Sequence, residues 1–168
     1  IINSTKSYGL KLLDDAQKQK SDFTIGYFGL LRCSRTLDIL IELAKARPDV
    51  IIVLRGIFMD VTRGYEERIT NLFNIHYFGS YVSPVDLQQM YAEIDVAWIA
   101  YPYSQKKIGN WCWARTNRFY EAGYYQTTMI ASAGTQDGKE VQEKRLGIVL
   151  NLSDFEDALK NLVALSKN

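Results

Sequence analysis

Residues Trp111–Ser132, WCWARTNRFYEAGYYQTTMIAS, join a polar segment to an apolar run that reads as a β-strand. If the polar segment is helical, Asn117, Arg118 and Glu121 share one face near its start, because residues three and four apart lie on the same side of a helix. Thr116 or Asn117 is then the expected N-cap. A polar helix start followed by a buried strand is typical of an open α/β sheet that presents a ligand site.

This helix start has the chemistry to bind an anion that also carries hydroxyl groups. Free N–H groups and the positive end of the helix dipole attract phosphate, and Arg115 and Arg118 can add charge-assisted hydrogen bonds. Glu121, about one turn further in, can accept hydrogen bonds from two adjacent hydroxyls, such as those of a ribose. An amphipathic helix with a solvated Arg–Glu pair explains the same residues, so the two interpretations stay open at this point.

Composition limits the classes of protein that need to be considered. The chain has 168 residues, 47% hydrophobic and 23% charged, which is typical of one globular domain. Its net charge of +1 argues against a general nucleic-acid surface or a polybasic membrane anchor. Two cysteines far apart and one histidine favour neither a disulfide framework nor a zinc site, and they fit a reducing cytoplasm.

The remaining global features concern membranes and domain boundaries. No apolar run reaches the roughly 18–20 residues of a membrane span, so no membrane-spanning segment is predicted. The chain opens on IINSTKSYG without an initiating Met, and we expect it to be a piece of a longer protein. Residues 1–22 are polar and are interpreted as a linker, or as a segment that enters from a preceding domain.

From residue 23 onward, strand patterns alternate with helix patterns. Six strands are predicted, at residues 23–28, 50–54, 75–78, 96–100, 129–132 and 147–150. Helices are predicted at 36–46, at 84–91 with Ser83 as N-cap and Pro84 in the first turn, at 117–125, around Val141 and after Ser153 as N-cap, and residues 62–73 read as helical or irregular. This alternation predicts an α/β fold, with a parallel sheet covered by helices on both faces.

In such sheets, ligands bind beyond the carboxyl ends of the strands. That rule selects the loops at 29–36, 55–60, 79–83, 101–110 and 134–138. In the first loop, Gly29 lets the backbone approach a ligand, and Arg32 and Arg35 stand where a diphosphate could be clamped, although a plain strand–helix turn explains the loop equally well. Lys106 and Lys107 in the fourth loop are more simply solvated charge. The absence of a Gly-x-Gly-x-x-Gly loop disfavours a nicotinamide-dependent enzyme.

Several short motifs follow one another in an order that resembles a known family. They are GLLRCSRT at 29–36, VLRG at 53–56, YFGS at 77–80, and NRFYE at 117–121 ahead of MIAS at 129–132. Together they resemble the C-terminal, donor-binding domain of GT-B-type glycosyltransferases of the group 1 family, over residues 23–165. The resemblance implies a Rossmann-like domain at 23–168, which forms one half of a GT-B fold, and an N-terminal domain that holds the acceptor.

The resemblance also implies roles for residues in the first and third motifs. Gly29 belongs to the family's glycine-containing phosphate loop, and Arg35 falls at its diphosphate-binding lysine, with Arg32 as a neighbouring cation. Gly79 and Tyr81 belong to the turn that binds the nucleotide base. Arg35 is accordingly expected to act in catalysis by stabilising charge on the departing diphosphate.

The fourth motif implies the remaining roles. Glu121 matches the glutamate that holds the nucleotide ribose, and Arg118 is expected to share the stabilisation of the diphosphate with the backbone near Thr116 and Asn117. Trp113 stands eight positions before Glu121, where many members have a glutamate that contacts the donor sugar, and it is assigned to that contact. The chain also departs from the family at Leu30, where an arginine is frequent, and at 126–128, where the family has Gly-Lys-Pro.

The function implied is a cytoplasmic glycosyltransferase domain that binds a UDP- or GDP-linked sugar, with no cofactor and no metal, in polysaccharide biosynthesis. Without its N-terminal domain it is expected to bind nucleotide but to transfer little sugar. The alternative is a non-catalytic α/β interaction domain with a degenerate nucleotide site, which would bind a protein partner through its Trp- and Tyr-rich surface.

Overall fold

The structure is a computed structural model that describes residues 23–102 and 110–165. The predicted linker at 1–22 lies outside the described residues, as do Lys106 and Lys107. No helix formed by residues 23–102 and 110–165 combines the length and the apolar character needed to cross a bilayer.

Within the described residues, the chain forms a six-stranded sheet in which every neighbouring pair of strands is parallel. The strands are β1 (Phe23–Leu31), β2 (Val50–Phe58), β3 (Ile75–Tyr77), β4 (Val96–Trp98), β5 (Thr128–Ser132) and β6 (Gly147–Leu150). Their order is β3-β2-β1-β4-β5-β6. The six predicted strands and their parallel arrangement are therefore confirmed. Because the order reverses between β1 and β4, the sheet has its topological switch point there.

Helices cover both faces of this sheet, as predicted. In the described part of the chain they are α1 (Ser34–Ala46), α2 (Tyr65–Ile69), α3 (Leu87–Ala92), α4 (Asn117–Tyr124), α5 (Gln136–Glu143) and α6 (Phe155–Val163), with a short 3-10 helix at Asp60–Thr62. Alternate residues of β2 enter opposite cores: Ile52 belongs to the core that includes α1 and α6, and Val53 belongs to the core that includes α3, α4 and α5. Both faces of the central strands are apolar because both are buried.

The first two strands are longer than predicted. The sequence predicts that they end at residues 28 and 54, but Gly29 and Gly56 are paired in register and the strands continue to Leu31 and Phe58. Both have positive φ, and a Cβ on Gly56 would lie 1.7 Å from the Gly29 carbonyl oxygen. Gly56 therefore permits a close approach of its backbone to that of Gly29 within the sheet. Residues 29–31 and 55–58 belong to strands and are not loops.

The predicted start of the third helical segment, at Ser83 and Pro84, is wrong. The helix α3 begins at Leu87 with Asp86 as its N-cap residue. The carboxylate of Asp86 accepts a hydrogen bond from the Val82 amide at 2.8 Å, and the Asp86 amide donates to the Val82 carbonyl at 2.9 Å. These two bonds close a turn over residues 82–86, and the helix starts only after it.

The N-cap predicted for the last helix is also wrong. Asp154 caps α6, because its side chain accepts from the Asp157 amide at 3.0 Å. The predicted cap, Ser153, instead donates its hydroxyl to Oδ1 of Asn151 at 2.6 Å. The serine oxygen is therefore engaged with the preceding turn.

Candidate functional site

The crevice between the carboxyl ends of β1 and β4 is spanned by Arg118. Its Nη1 donates to the carbonyl of Phe28 in β1 at 2.9 Å, and its Nη2 donates to the carbonyl of Ala100, just after β4, at 3.1 Å. The guanidinium also lies over the ring of Tyr27, 5.2 Å from its centroid. A positive charge is thus fixed at the switch point, where open α/β sheets bind their ligands.

The helix α4 begins beside this crevice, with Thr116 as its N-cap. Of the two predicted alternatives, Thr116 is the one observed: its Oγ1 accepts from the Phe119 amide at 3.0 Å. The amide of Thr116 itself donates to Oδ2 of Asp137 at 3.0 Å. The first-turn amides of Asn117 and Arg118, which have no acceptor within the helix, are therefore the ones left to face an anion.

Glu121 lies one turn into α4 and is held by a tyrosine from α3. The hydroxyl of Tyr91 donates to Oε2 of Glu121 at 3.0 Å. Burial raises the pKa of Tyr81, the Glu121 carboxylate raises it further, and the charges of Arg118 and Arg55 oppose the shift. The structure therefore brings three predicted site residues, Tyr81, Arg118 and Glu121, into one electrostatic environment.

Two predicted glycines lie at the same edge of the sheet. Gly29 has φ of 99°, and a Cβ at this position would lie 3.9 Å from the Tyr81 hydroxyl oxygen. Gly79 has φ of 70°, and its carbonyl accepts from the Gly56 amide at 2.7 Å. The turn predicted to bind the base is therefore attached to the end of β2, and its tyrosine reaches across to β1.

Arg55 also holds this turn, and sequence reasoning did not assign it a role. Only 5% of the residue is exposed, and its Nη2 donates to the Ser80 carbonyl at 3.1 Å and lies 3.9 Å from the Asp86 carboxylate. The available signal was its position, since an arginine directly follows the wholly apolar run Val50–Leu54. Such an arginine needs buried polar partners, which here belong to the turn after β3.

The arginines of the first loop lie against aromatic rings. The guanidinium of Arg32 is 5.7 Å from the ring centroid of Trp111, beside a cavity of 350 Å³ that is also lined by Met59, Asp60, Val61 and Pro102. The guanidinium of Arg35 is 5.6 Å from the ring centroid of Phe155, at the start of α6. The binding of a diphosphate by these two arginines stays a prediction.

Trp113 is 77% exposed. It contributes to a groove of 370 Å³ that is otherwise lined mainly by the turn after β5 and by α5, with Thr135, Gln136 and Lys139 among the lining residues. Its assignment to the donor sugar also stays a prediction.

Among residues 23–102 and 110–165, no group of three or more His, Cys, Asp or Glu side chains is arranged to hold a metal ion.

The segment before α4 is tied to α5 by charged groups. Nη2 of Arg115 lies 2.5 Å from the carboxylate of Glu140, which also pairs with Lys144 at 2.7 Å. Arg115, expected from sequence to face an anion, is therefore engaged by a carboxylate.

Asp137, which sequence reasoning missed, is 2% exposed, and burial raises its pKa even though the Thr116 amide opposes the shift.

Among curated proteins, the chain is similar to the succinoglycan biosynthesis protein ExoL of Rhizobium meliloti (strain 1021). The two are 28% identical over 147 residues, which is 86% of this chain and 36% of the relative. The chain thus spans about a third of the length of that relative. No protein-family model matches the chain.

Solved structures show the same fold. The C-terminal domain of the group 1 glycosyltransferase LpcC from Francisella tularensis matches with a TM-score of 0.61 and 17% identity, over 88% of this chain and 78% of that one. The Anabaena protein HepE, solved with UDP and glucose, matches with a TM-score of 0.64 and 18% identity, over 95% of this chain and 42% of that one. The chain therefore has the fold of the C-terminal domain of GT-B glycosyltransferases of group 1.

Proposed function

We propose that this chain is the nucleotide-sugar-binding domain of a glycosyltransferase. Its donor is a UDP- or GDP-linked sugar, and the acceptor is held by an N-terminal domain of the same protein. The observation that carries the proposal is the placement of Arg118 and Glu121. They lie one turn apart on α4, at the switch point of the sheet, with a positive charge over the crevice and a carboxylate beside it.

Each part of the nucleotide has a counterpart at this edge. The diphosphate binds at the start of α4, where the amides of Asn117 and Arg118 and the guanidinium of Arg118 meet it, and Arg32 and Arg35 add positive charge. The ribose hydroxyls donate to Glu121. The base lies at the turn of Gly79 and Tyr81, and Trp113 contacts the donor sugar.

Catalysis in this proposal is electrostatic. When the glycosyl bond breaks, negative charge develops on the departing diphosphate, and fixed arginines and helix amides stabilise it without reorganising. Since these groups neutralise the phosphates, neither a metal ion nor a cofactor is part of the proposal. The proposed location is a reducing cytoplasm, since two cysteines far apart in sequence make no disulfide framework.

The comparisons support the class of donor and the kind of pathway. HepE was solved with UDP and glucose, and ExoL is named for the biosynthesis of a polysaccharide, succinoglycan. The proposed acceptor-binding domain is supported by exposed apolar side chains in the last residues of β1 and β2 and in the segments that follow β2 and β3, which a second domain would cover. They are Leu30, Ile57, Met59, Val61, Val82 and Val85.

Calorimetric titration of the intact protein with UDP and with GDP tests this proposal. One of the two nucleotides should bind, and Glu121→Gln should weaken that binding by about 10- to 100-fold, because a hydrogen bond to a charged group contributes about 1.5–3 kcal/mol. Glu143→Gln, which removes a surface carboxylate of α5, is the matched control and should bind as the unmodified protein does. Absence of binding by either nucleotide would contradict the proposal.

A second candidate is an interaction domain without catalytic activity. It is favoured by three exposed aromatic side chains on and before α4, since aromatic residues are enriched at protein interfaces: Trp113 (77% exposed), Tyr120 (61%) and Tyr124 (80%). This candidate predicts a defined protein complex and no nucleotide binding, so the same titration separates the two.

A further inference from the structure

Glu121 needs a support if it is to recognise a ribose. A glutamate side chain has several rotatable bonds, and holding it in one orientation costs conformational entropy, which weakens any ligand contact that depends on that orientation. Glu121 is only partly buried on α4, so packing alone leaves it room to move. A neighbouring group that fixes its carboxylate before the ligand arrives would remove this cost.

Tyr91 is placed to do this. Its hydroxyl donates to Oε2 of Glu121 at 3.0 Å, and only 3% of the residue is exposed. The ring meets Phe28 of β1 edge-on, with centroids 5.4 Å apart, and stacks on Tyr125 at the end of α4, with centroids 5.1 Å apart. Two aromatic neighbours from different elements therefore fix the direction in which the hydroxyl points.

The proton needed for this hydrogen bond stays on the tyrosine. Burial raises the pKa of Tyr91 well above its ordinary value of 10.0, and the adjacent Glu121 carboxylate raises it further. At neutral pH the phenol is a donor and the carboxylate is its acceptor. Because a carboxylate has about four acceptor sites, one bond to Tyr91 leaves Oε1 and a lone pair of Oε2 for two ligand hydroxyls.

We propose that Tyr91 is a positioning residue, which orients Glu121 so that the site distinguishes a ribonucleotide from a nucleotide without ribose hydroxyls. This inference rests on the proposed function, because it assumes that a nucleotide binds beside Glu121. It adds a specificity determinant from α3, a helix on which the sequence motifs place no site residue. Tyr91 itself does not touch the ligand and acts only through the carboxylate.

The test measures the affinity of the intact protein for UDP and for 2′,3′-dideoxy-UDP, or for the guanine counterparts if GDP is the nucleotide that binds. Tyr91→Phe keeps the buried ring and removes the hydroxyl. It should weaken UDP binding by about tenfold and leave binding of the dideoxy nucleotide almost unchanged, because only the ribose contact depends on the oriented carboxylate. Tyr125→Phe, which removes a hydroxyl from the neighbouring stacked ring, should leave both affinities unchanged.

A double-mutant cycle provides a second readout. If Tyr91 acts through Glu121, Tyr91→Phe should have no further effect on UDP affinity once Glu121→Gln is present. An unchanged preference for UDP over the dideoxy nucleotide in Tyr91→Phe would overturn the inference and leave the proposed function standing. Failure of the unmodified protein to bind either UDP or GDP would overturn the proposed function and this inference with it.

Discussion

At the scale of single residues, the chemistry of the site depends on partners that are distant in sequence. Glu121 is predictable because its distance from the helix start can be counted along the chain. Tyr91, 30 residues earlier, is predictable only as a buried residue of its helix. Helical spacing indicates which face of the helix is buried, and it contains no information about the carboxylate that the Tyr91 hydroxyl meets.

Arg118 shows how one side chain can serve both the fold and a ligand. A guanidinium has five N–H donors, and its bonds to the carbonyls of Phe28 and Ala100 use two of them. These bonds fix the plane of the group over the crevice and leave further donors for a phosphate. The sequence predicts the charge at this position, but the two carbonyls that orient it lie in β1 and just after β4, 90 and 18 residues earlier in the chain.

Asp137 provides a prediction at this scale. Burial raises the pKa of its carboxyl above the ordinary value of 3.8, and its Oδ1 is buried with no hydrogen-bond partner. The folded state therefore holds this proton more tightly than the unfolded chain does, and stability falls as the pH rises above about 3.8 through the folded pKa. Asp137→Asn keeps an acceptor for the Thr116 amide and removes the charge, so its stability relative to the unmodified protein should be greater at pH 7 than at pH 4.

Urea unfolding at the two pH values measures this difference. Asp157→Asn is the matched control, because it makes the same change in the first turn of a helix but on the exposed surface. An Asp137→Asn variant with the same relative stability at pH 4 and pH 7 would contradict the assignment of a raised pKa.

At the scale of elements, the strands are predicted better than the helix starts. The strands are mostly apolar runs bounded by polar or glycine residues, so their positions can be predicted from local sequence. The predicted starts of α3 and α6 are wrong because, in each case, several residues that can cap a helix N-terminus stand side by side in the sequence. Which of them caps depends on hydrogen bonds to neighbouring turns, at Val82 in one case and at Asn151 in the other.

The glycine pair that joins β1 and β2 provides a prediction at this scale. Gly56→Ala would place a Cβ 1.7 Å from the Gly29 carbonyl oxygen and would add a side chain at φ of 135°. We expect it to lower the free energy of unfolding by about 3 kcal/mol or more, because either the backbone pairing or the local conformation must change. Gly64→Ala, where a new Cβ would meet nothing within 4 Å, should change stability far less in the same urea titration.

At the scale of the whole molecule, the alternation of strands and helices predicts a parallel sheet covered on both faces, and the structure has one. The order of the strands places the switch point between β1 and β4. Three predicted ligand groups, Tyr81, Arg118 and Glu121, meet there although they come from two different segments of the chain. Local sequence predicts these groups one by one, whereas their convergence follows from the strand order.

The most direct measurement is a crystal structure of the intact protein grown with UDP or with GDP, whichever binds in solution. We expect the ribose hydroxyls within hydrogen-bonding distance of Glu121, the diphosphate at the first turn of α4 beside Arg118, and the base at the turn of Gly79 and Tyr81. A nucleotide bound elsewhere on the chain, or one that leaves Glu121 and Arg118 without a contact, would contradict the assignment of a nucleotide-sugar site to this edge of the sheet.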